Sequence, residues 1–99
     1  QGKRWTLSQG QPAISMGRDA ANEIVINDPR VSRMHARIEL RKDRFILVDQ
    51  STNGTYLMAV DGQGPLVRRD EIVLPAKGII GLGEKAGPGS PISIRFERL

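Results

Sequence analysis

Short apolar runs recur along this chain about every eight to twelve residues, with turn-forming residues between them. In the clearest runs apolar and polar positions alternate, as expected for a strand that buries one face. The runs lie at 5–7, 13–16, 23–26, 36–40, 44–48, 55–58, 65–67, 71–74, 78–82 and 92–96. Many are rich in Val and Ile, which favour strands. The pattern therefore predicts an all-β sandwich or barrel.

One segment, from Val31 to Phe45, fits two patterns. Arginines at positions 30, 33, 37, 41 and 44 are spaced close to a helical period, with apolar residues on the opposite face. A strand would instead turn Ala36, Ile38 and Leu40 inward and Arg37, Glu39 and Arg41 outward. Periodicity alone does not decide between the two. We favour a strand, because a helix would be isolated among strands.

The length of the chain limits the number of domains, and the location of its charge limits the kinds of partner. At 99 residues the chain is predicted to form one domain, and its 38% hydrophobic and 26% charged residues are ordinary for a globular protein. The net charge of +4 resides in one segment, since six basic and two acidic residues lie between Arg30 and Arg44. Such a local positive excess predicts an anionic partner, such as nucleic acid, phosphate or an acidic peptide.

Several classes of function are not supported by the sequence. The absence of cysteine excludes disulfides, thiolate metal sites and cysteine catalysis, and one histidine does not make a zinc site. No apolar run has the length of about 18–20 residues that a membrane helix needs, and no signal-peptide pattern is present. We expect a cytoplasmic protein that binds no metal, no cofactor and no membrane.

Catalysis is also poorly supported. Ser32, His35 and Asp49 are the residue types of a hydrolytic triad, but Ser32 lacks the Gly-x-Ser-x-Gly turn that exposes a nucleophile. A single histidine beside a packed strand is more often a structural hydrogen-bonding group. We therefore expect no enzymatic activity.

Three predicted loops carry groups suited to a phosphate ester. A phosphate needs a guanidinium, hydroxyl donors and backbone N–H groups. Because the sequence contains no nucleotide-binding Gly-rich loop, a nucleoside triphosphate is not the expected ligand. The groups are Gly17-Arg18 in one loop, Arg30, Ser32, Arg33 and His35 in a second, and Ser51, Thr52, Asn53, Gly54 and Thr55 in a third. Loops at one end of a sandwich can converge, but the residues alone do not establish that these do.

The combination of three motifs resembles the forkhead-associated (FHA) domain. The motifs are "GR" at 17–18, "SRMHA" at 32–36 and "STNGTY" at 51–56, in the family's order and spacing. The resemblance covers nearly the whole chain and is clearest from Met16 to Leu57. It implies a twisted sandwich of two antiparallel sheets with about eleven short strands, whose loops at one end bind phosphothreonine in peptides. It also favours the strand over the helix for Val31–Phe45.

The resemblance implies a role for each loop residue. Arg18 would pair with the phosphate, Ser32 and Thr52 would hydrogen-bond it, Arg33 would contact phosphate or peptide, and Asn53 would hydrogen-bond the peptide main chain. Gly17, His35 and Gly54 would support the site. Arg30 would face the third residue after the phosphothreonine, where we expect an acidic or otherwise arginine-compatible side chain.

The resemblance implies a phosphothreonine-dependent binding module in Ser/Thr kinase signalling, without catalysis of its own. Residues 1–99 would form a module excised from a larger signalling protein, and the tail is similar to that of FHA domains attached to bacterial nucleotide cyclases. The phosphothreonine could lie in another protein or in the same chain. The alternatives are a basic β-domain for nucleic acid, disfavoured by only four aromatic residues, and an FHA fold that makes phosphate-independent protein contacts.

Overall fold

The computed structural model describes residues 7–8, 10–59, 63–85 and 90–97, and within these residues the chain forms nine strands and no helix. The strands are β1 (Ala13–Gly17), β2 (Ile24–Val25), β3 (Ala36–Arg41), β4 (Arg44–Asp49), β5 (Thr55–Met58), β6 (Leu66–Val67), β7 (Glu71–Val73), β8 (Lys77–Leu82) and β9 (Ser93–Glu97). In this part of the chain no helix could span a membrane.

The strands form two sheets. One has the order β2-β1-β3-β4-β7 and the other β6-β5-β8-β9. The predicted all-β sandwich is therefore confirmed, with nine strands in the described residues against about eleven expected. One pairing departs from the antiparallel expectation, because β2 lies parallel to β1. The predicted strand at 5–7 falls mostly on residues outside those described, and Leu7 is not in a strand.

The segment from Val31 to Phe45 is a loop followed by two strands, so the helical alternative is wrong. Strand β3 pairs with β1 on one side and with β4 on the other. Ala36 and Ile38 are buried, whereas Arg41 is exposed. Backbone hydrogen bonds to two neighbouring strands, together with alternating burial, outweigh the helix-favouring composition of this segment.

The core lies between the two sheets. Its buried apolar side chains come from both sheets and from the adjoining loops, and they are Ile14, Met16, Ile24, Val31, Ala36, Ile38, Leu47, Leu57, Met58, Val67, Ile80, Leu82 and Ile92. Most of these residues occupy alternate positions along their strands, as the sequence pattern predicted. Burial of this apolar area is the main force that holds the sheets face to face.

The three loops that carry the candidate phosphate-binding residues meet at one end of the sandwich, here called the loop end. The strand termini there are Gly17 of β1, Ala36 of β3, Asp49 of β4, Thr55 of β5 and Leu82 of β8. The opposite end holds the beginning of β1, where Ala13 pairs with Glu39, and the end of β9, where Glu97 pairs with Lys77.

The Asn53-Gly54 turn connects the two sheets. It follows β4 of the five-stranded sheet and precedes β5 of the four-stranded sheet, so it does not close a hairpin. A hairpin needs only its two turn residues, whereas a crossover between sheets must be fixed to both. The extra hydroxyl groups around this turn serve that purpose, as described below.

Candidate functional site

The first two loops are joined by their backbones. The Arg18 N–H donates to the Ser32 carbonyl at 2.9 Å, and the Asp19 N–H donates to the Arg33 carbonyl at 3.1 Å. A Cβ atom at Gly17 would overlap the carbonyl oxygen of Arg33. Glycine at position 17 therefore allows the close approach that brings Arg18 beside Ser32.

The Arg18 side chain points along this junction. Its Nε–H donates to the Val31 carbonyl at 3.0 Å, which fixes the guanidinium one peptide group away from Ser32. Among the described residues no carboxylate lies within ion-pair distance of Arg18, and the two terminal nitrogens make no hydrogen bond. The exposed guanidinium thus retains the paired donors that bind a phosphate in a fork.

The third loop is attached to the second by side chains. The Thr52 N–H donates to Ser32 Oγ at 3.1 Å, and Asn53 Nδ2 donates to the Arg30 carbonyl at 3.1 Å. Since Ser32 Oγ accepts from Thr52, the hydroxyl hydrogen of Ser32 remains available to donate. The structure therefore brings Arg18, Ser32, Thr52 and Asn53 together at the loop end.

The buried side chain of His35 connects the second and third loops. Its Nδ1 accepts the Ser32 N–H at 3.0 Å, and its Nε2–H donates to the Gly54 carbonyl at 2.8 Å. These bonds fix the neutral tautomer with the proton on Nε2. A triad is ruled out because the basic nitrogen is already occupied by a backbone N–H, while Asp49 Oδ1 lies 3.9 Å from Nε2.

We expect the folding stability to fall as the pH is lowered from about 7 to 5.5. Burial lowers the pKa of the His35 imidazole below its ordinary value of 6.5, against opposing effects of the Gly54 carbonyl and the Asp49 carboxylate. The unfolded chain therefore takes up the proton first, and stability rises with pH in this window, by at most about 1.4 kcal/mol per pH unit. Urea unfolding at several pH values measures this slope.

Because the chain contains a single histidine, the imidazole resonances in an NMR spectrum can be assigned directly to His35. The imidazole C–H resonances of the folded protein should titrate with a midpoint below 6.5. A midpoint above 6.5, or stability that increases on acidification through this range, would contradict a neutral His35 that connects the two loops.

Asp49 is the centre of a buried polar cluster that holds the third loop. Its carboxylate accepts from the Ser51 hydroxyl at 2.7 Å, the Ser51 N–H at 3.1 Å, the Thr55 hydroxyl at 2.6 Å and the Arg69 N–H at 2.8 Å. Ser51 Oγ also accepts the Gly54 N–H at 2.7 Å. The hydroxyl groups around the turn therefore satisfy the buried Asp49 carboxylate. The Thr55 bond also connects the end of β4 in one sheet with the beginning of β5 in the other.

Sequence reasoning missed this role of Asp49 and Arg69. In the sequence, Asp49 is a candidate only for a triad, and no motif marks Arg69. The available signal was a carboxylate at the end of a buried strand followed closely by two hydroxyl residues, because such hydroxyls commonly satisfy a buried acid. The Arg69 backbone, with φ of 52°, could not be read from composition.

Gly54 adopts a conformation that few other residues can take. Its φ is +90°, in the left-handed region, and an added Cβ atom would overlap Leu66 Cδ1. Its carbonyl receives the His35 imidazole, and its N–H is bound by Ser51. The position therefore requires glycine both for backbone conformation and for space.

The local positive excess predicted between Arg30 and Arg44 is largely neutralised in the fold. Arg37 pairs with Glu39, and Arg41 pairs with Glu39 and Glu71. Arg37, followed by Arg41, lowers the pKa of Glu39, and Arg41 lowers that of Glu71. Among the described residues, Arg33 is a residue of this segment that has no carboxylate within ion-pair distance, and it is exposed beside Ser32.

Arg30 reaches the loop end with its backbone, while its guanidinium is held by carboxylates. It forms two hydrogen bonds with Asp28, at 2.8 and 2.7 Å, and an ion pair with Glu84 at 2.8 Å. Sequence reasoning missed Glu84, which follows β8. The pairing joins residues that are far apart in sequence, so no local pattern could have shown it.

The geometry describes a β-sandwich whose loops present, at one end, the guanidinium groups of Arg18 and Arg33, a serine hydroxyl and a polar turn. Neither guanidinium has a carboxylate within ion-pair distance among the described residues. In the part of the chain that the structure describes, no three His, Asp or Glu side chains are grouped to hold a metal ion. The site is therefore an arrangement of hydrogen-bond donors suited to an anionic ligand.

Comparison with known proteins identifies the family. Residues 14–83 match the FHA domain family. Over 57 residues the chain is 42% identical to the glycogen accumulation regulator GarA of Mycolicibacterium smegmatis, a match that covers 57% of this chain and 35% of GarA. The chain thus spans about a third of that relative's length.

Solved structures of FHA domains have the same fold as this chain. The FHA-1 domain of Mycobacterium tuberculosis Rv1747 superposes with a TM-score of 0.71 at 22% identity, covering 98% of this chain and 88% of that one. An FHA domain solved in an analysis of phosphothreonine-dependent FHA interactions gives a TM-score of 0.63 at 28% identity, covering 83% and 77%. The chain therefore belongs to the FHA domain family.

Proposed function

We propose that this domain binds phosphothreonine-containing peptides through Arg18, Ser32, Arg33, Thr52 and Asn53. The observation that carries the proposal is the junction of three loops, in which the Arg18 backbone is bound to Ser32 and the guanidinium to the preceding Val31 carbonyl. Among the described residues, the terminal nitrogens of Arg18 and the hydroxyl hydrogen of Ser32 remain free to donate. A related FHA domain comes from a study of phosphothreonine-dependent interactions, which supports this ligand class.

The ligand chemistry matches these groups. A phosphothreonine carries about 1.5 to 2 negative charges at neutral pH and three acceptor oxygens. The terminal nitrogens of Arg18 would bind two of these oxygens, and the Ser32 hydroxyl would donate to the third. Arg33 and the Thr52 hydroxyl would add contacts, since both residues are exposed at this end.

Asn53 would hold the peptide main chain. Among the described residues its side chain makes one hydrogen bond, from Nδ2 to the Arg30 carbonyl. Its carbonyl oxygen and second amide hydrogen are therefore available to an extended peptide beyond the phosphothreonine. Gly17, His35 and Gly54 would support the site by fixing the loops, and Arg30 would lie beside the path of the peptide.

The wider function would be recruitment in Ser/Thr kinase signalling, with no reaction catalysed by this domain. We propose that residues 1–99 are one module of a longer cytoplasmic signalling protein and that the phosphothreonine lies either in another protein or in the same polypeptide. Attachment to a nucleotide cyclase is one form that this arrangement would take.

Calorimetry with a phosphothreonine peptide library and its unphosphorylated counterpart tests the proposal. We expect binding near micromolar Kd to the phosphorylated library, because three or four charge-assisted hydrogen bonds of about 1.5–3 kcal/mol each exceed the cost of ordering the peptide. Dephosphorylation should abolish it.

Two other results would reject the proposal. Equal affinity for both libraries would indicate phosphate-independent protein contacts. Tight binding to duplex DNA that decreases steeply with salt, without phosphopeptide binding, would indicate a nucleic-acid domain.

A further inference from the structure

A fourth segment, residues 83–84, belongs to the loop end. The Gly83 N–H donates to the Gly54 carbonyl at 2.9 Å, which places Glu84 beside the Asn53-Gly54 turn. A Cβ atom at Gly83 would overlap the Arg30 carbonyl oxygen, and Gly83 has a φ of +88°. Glycine at this position therefore lets the β8 terminus pack directly on the Arg30 loop, next to Asn53.

The guanidinium of Arg30 is paired with two acids through three of its five N–H groups. Its Nε and Nη2 atoms bind the two carboxylate oxygens of Asp28, and its Nη1 binds Glu84 Oε1. The hydrogen bonds from Arg30 lower the pKa of Asp28 to about 2, so Asp28 is ionised at neutral pH. An acidic ligand side chain that approached this arginine would therefore also meet the negative charges of Asp28 and Glu84.

The group of Asp28, Arg30 and Glu84, here called the acid–arginine triad, carries a net charge of −1 at neutral pH. Its outer members are accessible, with 41% of the Arg30 side chain and 50% of the Glu84 side chain exposed. The triad adjoins the turn where Asn53 binds the Arg30 carbonyl. A peptide bound along Asn53 would therefore pass an exposed negative charge.

We propose that Glu84 is a specificity-determining residue, which together with Asp28 converts the Arg30 position from a site for acidic side chains into one that disfavours them and favours Lys or Arg. This inference rests on the proposed binding of phosphothreonine peptides. It reverses the expectation from sequence of an acidic residue opposite Arg30, because that expectation treated the arginine as unpaired.

The test uses phosphothreonine peptide libraries that are degenerate except for one fixed residue. The fixed residue is Asp, Ala or Lys at each of the first four positions after the phosphothreonine. For the wild-type domain we expect Lys to bind about fivefold more tightly than Asp at one of these positions, the range of exposed charge pairs, with the difference reduced in 0.5 M NaCl.

Two variants change the triad without touching the phosphate-binding residues. Glu84→Gln makes the triad neutral and should abolish the difference between Lys and Asp. The double variant Asp28→Asn, Glu84→Gln leaves Arg30 with its positive charge and should reverse the order, so that Asp binds better. Glu97→Gln, which removes an exposed carboxylate at the opposite end of the sandwich, should leave the order unchanged.

The outcomes separate this inference from the proposed function. Phosphopeptide binding with no difference between Asp and Lys in the wild-type domain, or a preference for Asp, would overturn the role of Glu84 and leave the proposed function standing. An order that stays the same in the double variant would also overturn it. Failure of every phosphorylated library to bind would reject both.

Discussion

Replacement of Arg18 by alanine should weaken phosphothreonine-peptide binding by about 100-fold or more. The guanidinium would lose two charge-assisted hydrogen bonds to phosphate, each contributing about 1.5–3 kcal/mol, and each 1.4 kcal/mol corresponds to a tenfold change in Kd. The fold should survive, because the only described intramolecular side-chain bond lost is that from Nε to the Val31 carbonyl. Calorimetry and thermal unfolding measure the two effects separately.

Two further variants sharpen this prediction. Arg18→Lys keeps the positive charge but removes the forked geometry, so its affinity should lie between those of the wild-type and alanine proteins. Arg44→Ala removes an exposed arginine at the opposite end of the sandwich, and its affinity should stay within about twofold of wild type. Equal losses for Arg18→Ala and Arg44→Ala would show that net charge, and not a defined site, attracts the ligand.

Replacement of Asp49 by alanine should lower the free energy of unfolding by about 3–5 kcal/mol. The buried carboxylate accepts bonds from Ser51, Thr55 and Arg69, and its removal leaves those donors without an acceptor. A domain of this size has a total stability of only about 5–15 kcal/mol. Urea unfolding followed by circular dichroism or tryptophan fluorescence measures the change.

Asp70→Ala is the matched control for Asp49→Ala. Asp70 is exposed and its side chain accepts from the neighbouring Glu71 N–H, so its loss should cost less than about 1 kcal/mol. If Asp49→Ala does not fold at all, Asp49→Asn gives the comparison, since an amide keeps one acceptor. Equal stability of the Asp49 and Asp70 variants would mean that the buried cluster does not hold the third loop.

The strands were predictable because alternation of side chains is a local property of the sequence. In β3 the apolar Ala36 and Ile38 alternate with charged residues, and they are buried as predicted. The parallel pairing of β2 was not predictable, because the run at 23–26 has the composition of a strand but contains no information on which edge it joins. Only Ile24 and Val25 of this run form a strand.

The candidate site was predictable to the extent that the family motifs mark it. The motifs indicated Arg18, Ser32 and Asn53, and the fold brings their loops together. The roles of Glu84 and Asp49 depend on which surfaces meet after folding. Ion pairs and buried hydrogen bonds between distant segments leave no periodic signal in the sequence, so the pairing of Arg30 with Glu84 could not be predicted.

The positions of Ala13 and Glu97 at the end opposite the loops restrict how the domain could bind a phosphothreonine in its own polypeptide. From that end, β1 leads to Arg18 in five residues and β8, whose Lys77 pairs with Glu97, leads to Leu82 in five residues. Because an extended chain advances about 3.3–3.6 Å per residue, a tether that leaves from either strand must contain at least about five residues to reach the loop end. A phosphothreonine closer than this to β1 or β9 would be available only to the loops of a second molecule, and such a pair would associate in a concentration-dependent manner.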